Sequence, residues 1–239
     1  MLFYPSKNNN ALNRRPFSPD QLTGRAMLNP HYRVLVDRDT RAICDSGAFQ
    51  DDGVARPRLQ PWAALQRQLT FEQWLSWQVT GTPDDWHFES IITYDQMFGV
   101  DEAMIDGKKV KTRGTIETAQ PAVDETLRAA AYYASQRDRI QGRVCFAAQG
   151  INPDHYLNSC VVPMLDVMQD GDWFAFGGFC IIGKVPSLKP YFYETVERTL
   201  PLLKKRGVTR AHILGVCVAD AIQFASAAGR RTLRPMMSQ

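Results

Sequence analysis

Histidine is scarce in this chain and cysteine is never paired. Its 239 residues include four histidines (His31, His87, His155, His212) and five cysteines (Cys44, Cys145, Cys160, Cys180, Cys217). No C-x-x-C or H-E-x-x-H occurs, and the cysteines are dispersed and odd in number. A disulfide framework and a structural zinc site are therefore not expected, and the chain reads as reduced, metal-free and without a cofactor. No apolar run approaches the ~20 residues of a membrane span. The opening MLFYPSKNNNALNRRPFSP has too short an apolar patch for a signal peptide, so cytoplasmic residence with no membrane partner is the expectation. The net charge is only +3, so composition does not announce a nucleic-acid binder. No G-x-G-x-x-G turn follows a strand pattern, which argues against a dinucleotide-binding sheet. No internal repeat or low-complexity segment stands out.

What is present is an ordinary globular composition, 44% hydrophobic and 22% charged, at a length that suits one α/β barrel domain over residues 1–239. Short apolar runs predict buried strands at Ala42–Cys44, Ser90–Tyr94, Arg143–Ala148, Trp173–Phe176 and Ala211–Val216. Helical patterns lie between them. In Pro121–Arg137, Val123, Leu127, Ala130 and Ala134 fall on one face. Asn152 and Pro153 read as a cap and first-turn proline of a helix reaching about Gln169. Pro190–Arg206 carries Phe192, Val196, Leu200 and Leu203 on one face and ends in cations followed by Gly207. A last helix is expected from Val218 to Gly229. Apolar strands alternating with amphipathic helices imply a parallel sheet, and a (β/α)8 TIM-barrel-like α/β fold suits the order best. Two connections, Asp51–Leu69 and Gln96–Gln120, read as long loops at the C-terminal ends of strands, where barrel enzymes build their sites.

The predicted strands end in polar or small residues. Asp45 closes the first, Asp95 the second and Gln149-Gly150 the third; Gly177-Gly178 follows the fourth and Leu214-Gly215 the fifth. One such residue is ordinarily a cap or turn former. In series they offer acceptors, an amide and close backbone approach, a set suited to a flat heterocycle with several N–H and C=O groups. Phe49, four residues after Asp45, supplies a stacking face. Basic residues cluster at Lys108, Lys109, Lys111 and Arg113, at Lys204 to Arg210, and at Arg230 to Arg234. Such clusters are ordinarily solvated surface, but the first lies in one of the two long connections.

The series DSGAFQ, YDQ, AQG, FGGFCIIGK and HILGV, in this order, resembles the tRNA-guanine transglycosylase family. Over roughly residues 45–229 it is most similar to the DNA-acting branch that inserts 7-deazaguanine bases, with Ala48 leaning towards that branch. The resemblance implies an enzyme of the pentosyltransferase class that exchanges guanine for a 7-deazaguanine derivative in DNA. It implies that Asp45 handles the protons of the exchanged base and that Ser46 lies beside it. Asp95, Gln149 and the Gly177-Gly178 backbone would read the base's polar edge, with Phe49 and Leu214 on its two faces. A base leaves the stack before its glycosidic bond is exchanged, and stacking offsets that loss. Lys108, Lys109, Lys111 and Arg113 would then hold nucleic-acid phosphates, which give affinity without sequence information, whether the partner is DNA or RNA.

The resemblance stops at Gly229. The family's nucleophilic aspartate, which holds the sugar covalently, lies a few residues beyond that glycine on the final barrel strand. Here RRTLRPMMSQ follows, with Arg234 at the matching spacing and no acid, and the family's zinc region has no counterpart. The barrel is therefore expected to be incomplete at its C-terminal strand. Three accounts stand: a chain whose homology ends at Gly229, a base- or nucleic-acid-binding partner subunit, or replacement of the nucleophile by Asp51, Asp52 or Asp220. A tRNA-acting relative and an unrelated barrel acting on a sugar or phosphate compound are further alternatives. Open strand edges invite pairing, so a compensating strand from the N-terminal segment (Val34–Val36), oligomerisation or poor solubility is predicted.

Overall fold

Each apolar run becomes a short strand of a parallel sheet. A computed structural model describes residues 6–7, 24–53, 59–96, 101–105, 108–112, 114–180, 182, 188–208, 210–215 and 218–233. The strands are β1 Ser6–Lys7, β2 Arg25–Leu28, β3 Arg41–Cys44, β4 Ser90–Ile92, β5 Asp101–Ile105, β6 Lys108–Thr112, β7 Arg143–Ala148, β8 Trp173–Phe176 and β9 Arg210–Ile213. The chain divides into two compact units, Met1–Tyr94 with Tyr132–Cys145, and Asp95–Ala131 with Phe146–Gln239. The first half of β7 thus belongs to one unit and the second half to the other.

In the first unit the strands run β1-β2-β3-β4-β7, all parallel, with Arg25 opposite Arg41 and Ser90 opposite Arg143. In the second the order is β7-β8-β9, with Trp173 opposite Arg210 in a parallel pair. Every residue of β4 and β8 is buried, as are all but the first of β3 and β7, whereas β9 is half-buried. Buried parallel strands explain why these runs are continuous rather than alternating. The protein is therefore mixed α/β with a parallel main sheet, compatible with part of a (β/α) barrel. Among the described residues no strand follows β9.

The helices show why local sequence is a good guide here. Asn152 caps the next segment by accepting from the His155 N–H, and Pro153 takes the first turn. The helix then continues through a π turn at Tyr156–Val161 and ends with Val162–Val167. In the helix Lys189–Lys205, Phe192, Val196, Leu200 and Leu203 are all buried, as their spacing predicts. Its end is a Schellman turn: Gly207, with φ +82°, donates to Lys204 O, and Val208 donates to Leu203 O.

Several expectations are corrected. The connection 51–69 is not a long loop: it holds a short helix, Ala48–Gly53, and the first half of a long one, Pro61–Thr80. The connection 96–120 carries the antiparallel pair β5-β6 and the start of the helix Ile116–Ser135. That helix begins five residues before Pro121, and its buried face centres on Ala119, Ala122, Val123, Thr126, Ala130 and Tyr133, with Leu127 and Ala134 only half-buried. The proline's missing N–H falls in the first turns, where Pro121 and Glu117, whose carbonyl it leaves without that donor, are both exposed. The last helix, Ala219–Leu233, passes through Gly229 and takes in the first four residues of the unmatched tail. Gly229 is not a terminator because its φ is not positive and an added Cβ would meet nothing. Arg234 lies outside the described residues. Val34 and Val36 are buried, but in irregular chain; the N-terminal segment supplies β1 and β2 instead. No helix of the described residues is long and apolar enough to cross a membrane.

Candidate functional site

In the first unit Asp45 follows β3 directly, and its own N–H donates to Leu28 O (2.8 Å) on the neighbouring strand's last residue. Its Oδ2 accepts from Asn29 Nδ2 (2.8 Å) and its Oδ1 from the Ser46 N–H (2.9 Å). The Asn29 amide also donates to Gln50 Oε1 (2.7 Å). Gln68, buried on the helix Pro61–Thr80, donates to Asp45 O and to Ile92 O, both at 2.9 Å, and so ties the C-terminal ends of β3 and β4 together. Tyr133 Oη donates to Gln68 Oε1 (2.6 Å), which fixes the amide's orientation. Desolvation pushes the Asp45 carboxyl above the usual aspartate range, while the Asn29 and Ser46 hydrogen bonds and the nearby Arg67 and His31 pull it back. An acid so placed can hold or release a proton at the strand end. Ser46 is buried, its Oγ accepting from Ala48 N–H (3.3 Å). Phe49 stands in the first turn of the next helix and is 60% exposed.

The second unit gathers the other residues singled out at strand ends. Asp95, three residues beyond β4, is only 8% exposed, and Gln149, just after β7, is fully buried. Gly177 follows β8 and donates to Ala148 O (2.8 Å). A Cβ on Gly177 would sit 2.8 Å from that carbonyl and 3.5 Å from Asp95 Oδ2, so only glycine lets the chain pass this close. Gly178 takes φ +78°, and Leu214, half-buried, donates its N–H to Phe176 O (3.0 Å).

Gln149 is the most constrained side chain of this group. Its Nε2 donates to Gln96 O and to Thr126 Oγ1 (2.7 Å). The Thr126 hydroxyl spends its proton on Ala122 O (2.8 Å) and accepts from the Gln96 N–H (2.9 Å). Nε2 must therefore face Thr126 and Gln96, since a flipped amide would set oxygen against oxygen. That leaves Gln149 Oε1 buried and, among the described residues, without a hydrogen-bond partner. The loop beyond it is pinned by His155, whose Nδ1 accepts from Ile151 N–H (3.2 Å). Its Nε2 therefore carries the proton and donates to Gln120 Oε1 (3.0 Å). Burial pushes His155 below the usual imidazole range and pushes the Cys160 thiol up to about 12.

Lys108, Lys109 and Lys111 fall on β6, opposite Ile105, Met104 and Glu102 of β5, so this basic cluster belongs to a two-stranded ribbon rather than a loop. Arg113 lies outside the described residues. Of the acids weighed as replacement nucleophiles, Asp51 is 2% exposed and engaged by Arg67 and Tyr94. Asp220 sits in the first turn of its helix, paired with Lys189 Nζ (2.7 Å). Among the described residues no group of three His, Cys, Asp or Glu is placed to hold a metal ion.

Asn29, His31, Arg67, Gln68 and Thr126 went unnoticed in the sequence. The available signal was polar residues in core positions: Gln68, Glu72 and Ser76 recur every fourth residue along the buried face of Pro61–Thr80. A buried polar side chain needs a partner, so such a stripe marks residues that hold something in place. Compared with known proteins, the chain is matched by no protein-family model and by no curated protein.

Proposed function

We propose that this chain binds a guanine-like base and exchanges it, placing a 7-deazaguanine derivative where guanine stood in DNA. The observation that carries the reading is the Gln149 amide oxygen, buried, fixed in orientation and unpartnered among the described residues. A buried acceptor left unmade costs about 1–3 kcal/mol, so it is retained where a ligand donor completes it. Asp95, whose Oδ2 would lie 3.5 Å from a Cβ on Gly177, adds carboxylate acceptors. A guanine edge presents adjacent ring N–H and amino donors, whereas adenine presents an unprotonated ring nitrogen at the same position. The ordered motif series supplies the reaction: Asp45 manages the protons of the departing and entering bases, Phe49 and Leu214 contribute faces for stacking, and the basic β6 ribbon with Arg113 contacts backbone phosphates.

A second reading is favoured by the state of the acids. Asp51 and Asp220 are both committed to cations, so neither stands ready to attack a sugar carbon. On that reading the chain binds the base without exchanging it and serves as a partner subunit for a chain that supplies the nucleophile. Calorimetric titration with guanine, 7-deazaguanine and adenine tests the shared part of both readings. Guanine and 7-deazaguanine are expected to bind, adenine is not, and Gln149→Leu is expected to remove the preference. Equal binding of adenine, or none of guanine, would count against both.

A further inference from the structure

We propose that Arg67, held by Asp51, is a positioning residue that fixes the turn carrying Asp45. The inference rests on the base-handling role given to Asp45 above, but the geometry behind it stands in the first unit alone. Arg67 Nη1 donates to both oxygens of Asp51, at 3.0 and 3.1 Å, and Nη2 donates to Ser46 O at 2.7 Å. Asp51 also accepts from Tyr94 Oη (2.9 Å), and His31 Nε2 lies 3.0 Å from Asp51 Oδ1 and 2.9 Å from Arg67 Nη1. The ring of bonds closes on itself: Asp51 and Gln50 donate their backbone N–H groups to Gly47 O, at 3.2 and 3.1 Å. Ser46, Gly47, Asp51 and Arg67 therefore form one cycle, and Asp45 is the residue that enters it.

Gly47 shows how closely Arg67 and His31 press on this turn. Its φ is +74°, and a Cβ there would stand 2.7 Å from Arg67 Nη2 and 3.0 Å from His31 Cδ2. The guanidinium performs two tasks at once, neutralising Asp51 through one nitrogen and holding the Ser46 carbonyl through another. A lysine ammonium keeps the charge but has no planar fork to span both partners. This separates two roles. If Arg67 acted only as a nearby positive charge, lysine would serve equally well. If it acts by geometry, lysine fails.

The test is the titration of the Asp45 carboxyl, followed by carbon-13 NMR of aspartate-labelled protein and assigned with Asp45→Asn, in the wild type, Arg67→Lys and Arg67→Met. Thermal melts by circular dichroism check that each variant is folded. The clamp predicts that in Arg67→Lys the turn loosens, the half-buried carboxyl gains hydration, and its titration falls from the raised value towards the ordinary aspartate range, about 3.9. Arg67→Met is expected to fall in the same way. An unchanged titration in Arg67→Lys, or a rise in Arg67→Met from loss of a nearby cation, overturns the proposal. Should Arg67→Met fail to fold, Arg67→Lys alone decides. Wild-type guanine binding, measured separately by calorimetry, distinguishes the two levels: its absence removes the base-handling role, while the titration still decides whether Arg67 sets the turn.

Discussion

At Gln149 the neighbours leave the amide one orientation, because Thr126 has already given its proton to Ala122 O. A leucine at 149 keeps the volume and removes the acceptor, so guanine affinity should fall about 10- to 100-fold, the equivalent of one buried hydrogen bond. Calorimetry with a thermal melt alongside distinguishes this from unfolding. Asp45 makes the opposite kind of prediction. Its folded pKa is raised by desolvation, so the stability it contributes is full below the unfolded pKa of about 3.9 and lost as pH rises through the folded value. At pH 7 the ionised carboxylate is therefore a net cost. Asp45→Asn should melt higher than the wild type at pH 7, by about 2–4 °C per kcal/mol gained, with the difference closing near pH 4. Asp45 and Gln149 were both legible in the sequence as polar residues ending apolar runs. Asn29, Arg67 and Thr126 were not, because an isolated polar residue in a helix or loop carries no mark of the partner it will meet.

The elements behave much as local chemistry dictates, and where they do not, a competing term can be named. Asn152 and Pro153 marked their helix start, and Lys204, Lys205 and Gly207 marked a helix end, because caps and terminators act through the backbone alone. The helix Pro61–Thr80 was hidden by polar residues on its buried face, which break the apolar period that reveals helices elsewhere. Gly229 misled in the other direction, since a glycine can continue a helix at modest cost. The cap is testable: Asn152→Ala should cost about 1 kcal/mol in urea unfolding. It should also loosen the loop that leaves Gln149, because the same segment carries His155. The folded pKa of His155 is depressed, so its contribution to stability is present above the unfolded value of about 6.5 and lost as pH falls through that value towards the folded one. Against the opposite contribution of Asp45, His155→Gln should therefore leave the urea midpoint higher, relative to the wild type, as pH is lowered from 7. His212, on the half-buried β9 and pushed down to about 4 by desolvation, adds a contribution of the same sign.

At the scale of the molecule, the chain divides within β7 into two compact units, one carrying Asp45 at the end of β3 and the other carrying Asp95, Gln149, Gly177 and Leu214. Strands buried throughout should exchange their amides slowly and the half-buried β9 quickly, so hydrogen exchange should separate β8 from β9 although they are paired. A parallel sheet covered by helices was readable from the alternation of apolar runs with helical periods, which depends only on what must be buried. The antiparallel ribbon β5-β6 was not, because its strands carry charges in place of an apolar run. The central claim is that this chain exchanges a guanine-like base through the proton chemistry of Asp45. The most direct measurement is incorporation of a radiolabelled 7-deazaguanine base into duplex DNA by the purified protein, beside Asp45→Asn. Label in DNA with the wild type and none with the variant is the predicted result; no label with the wild type, or equal label with both, would contradict it.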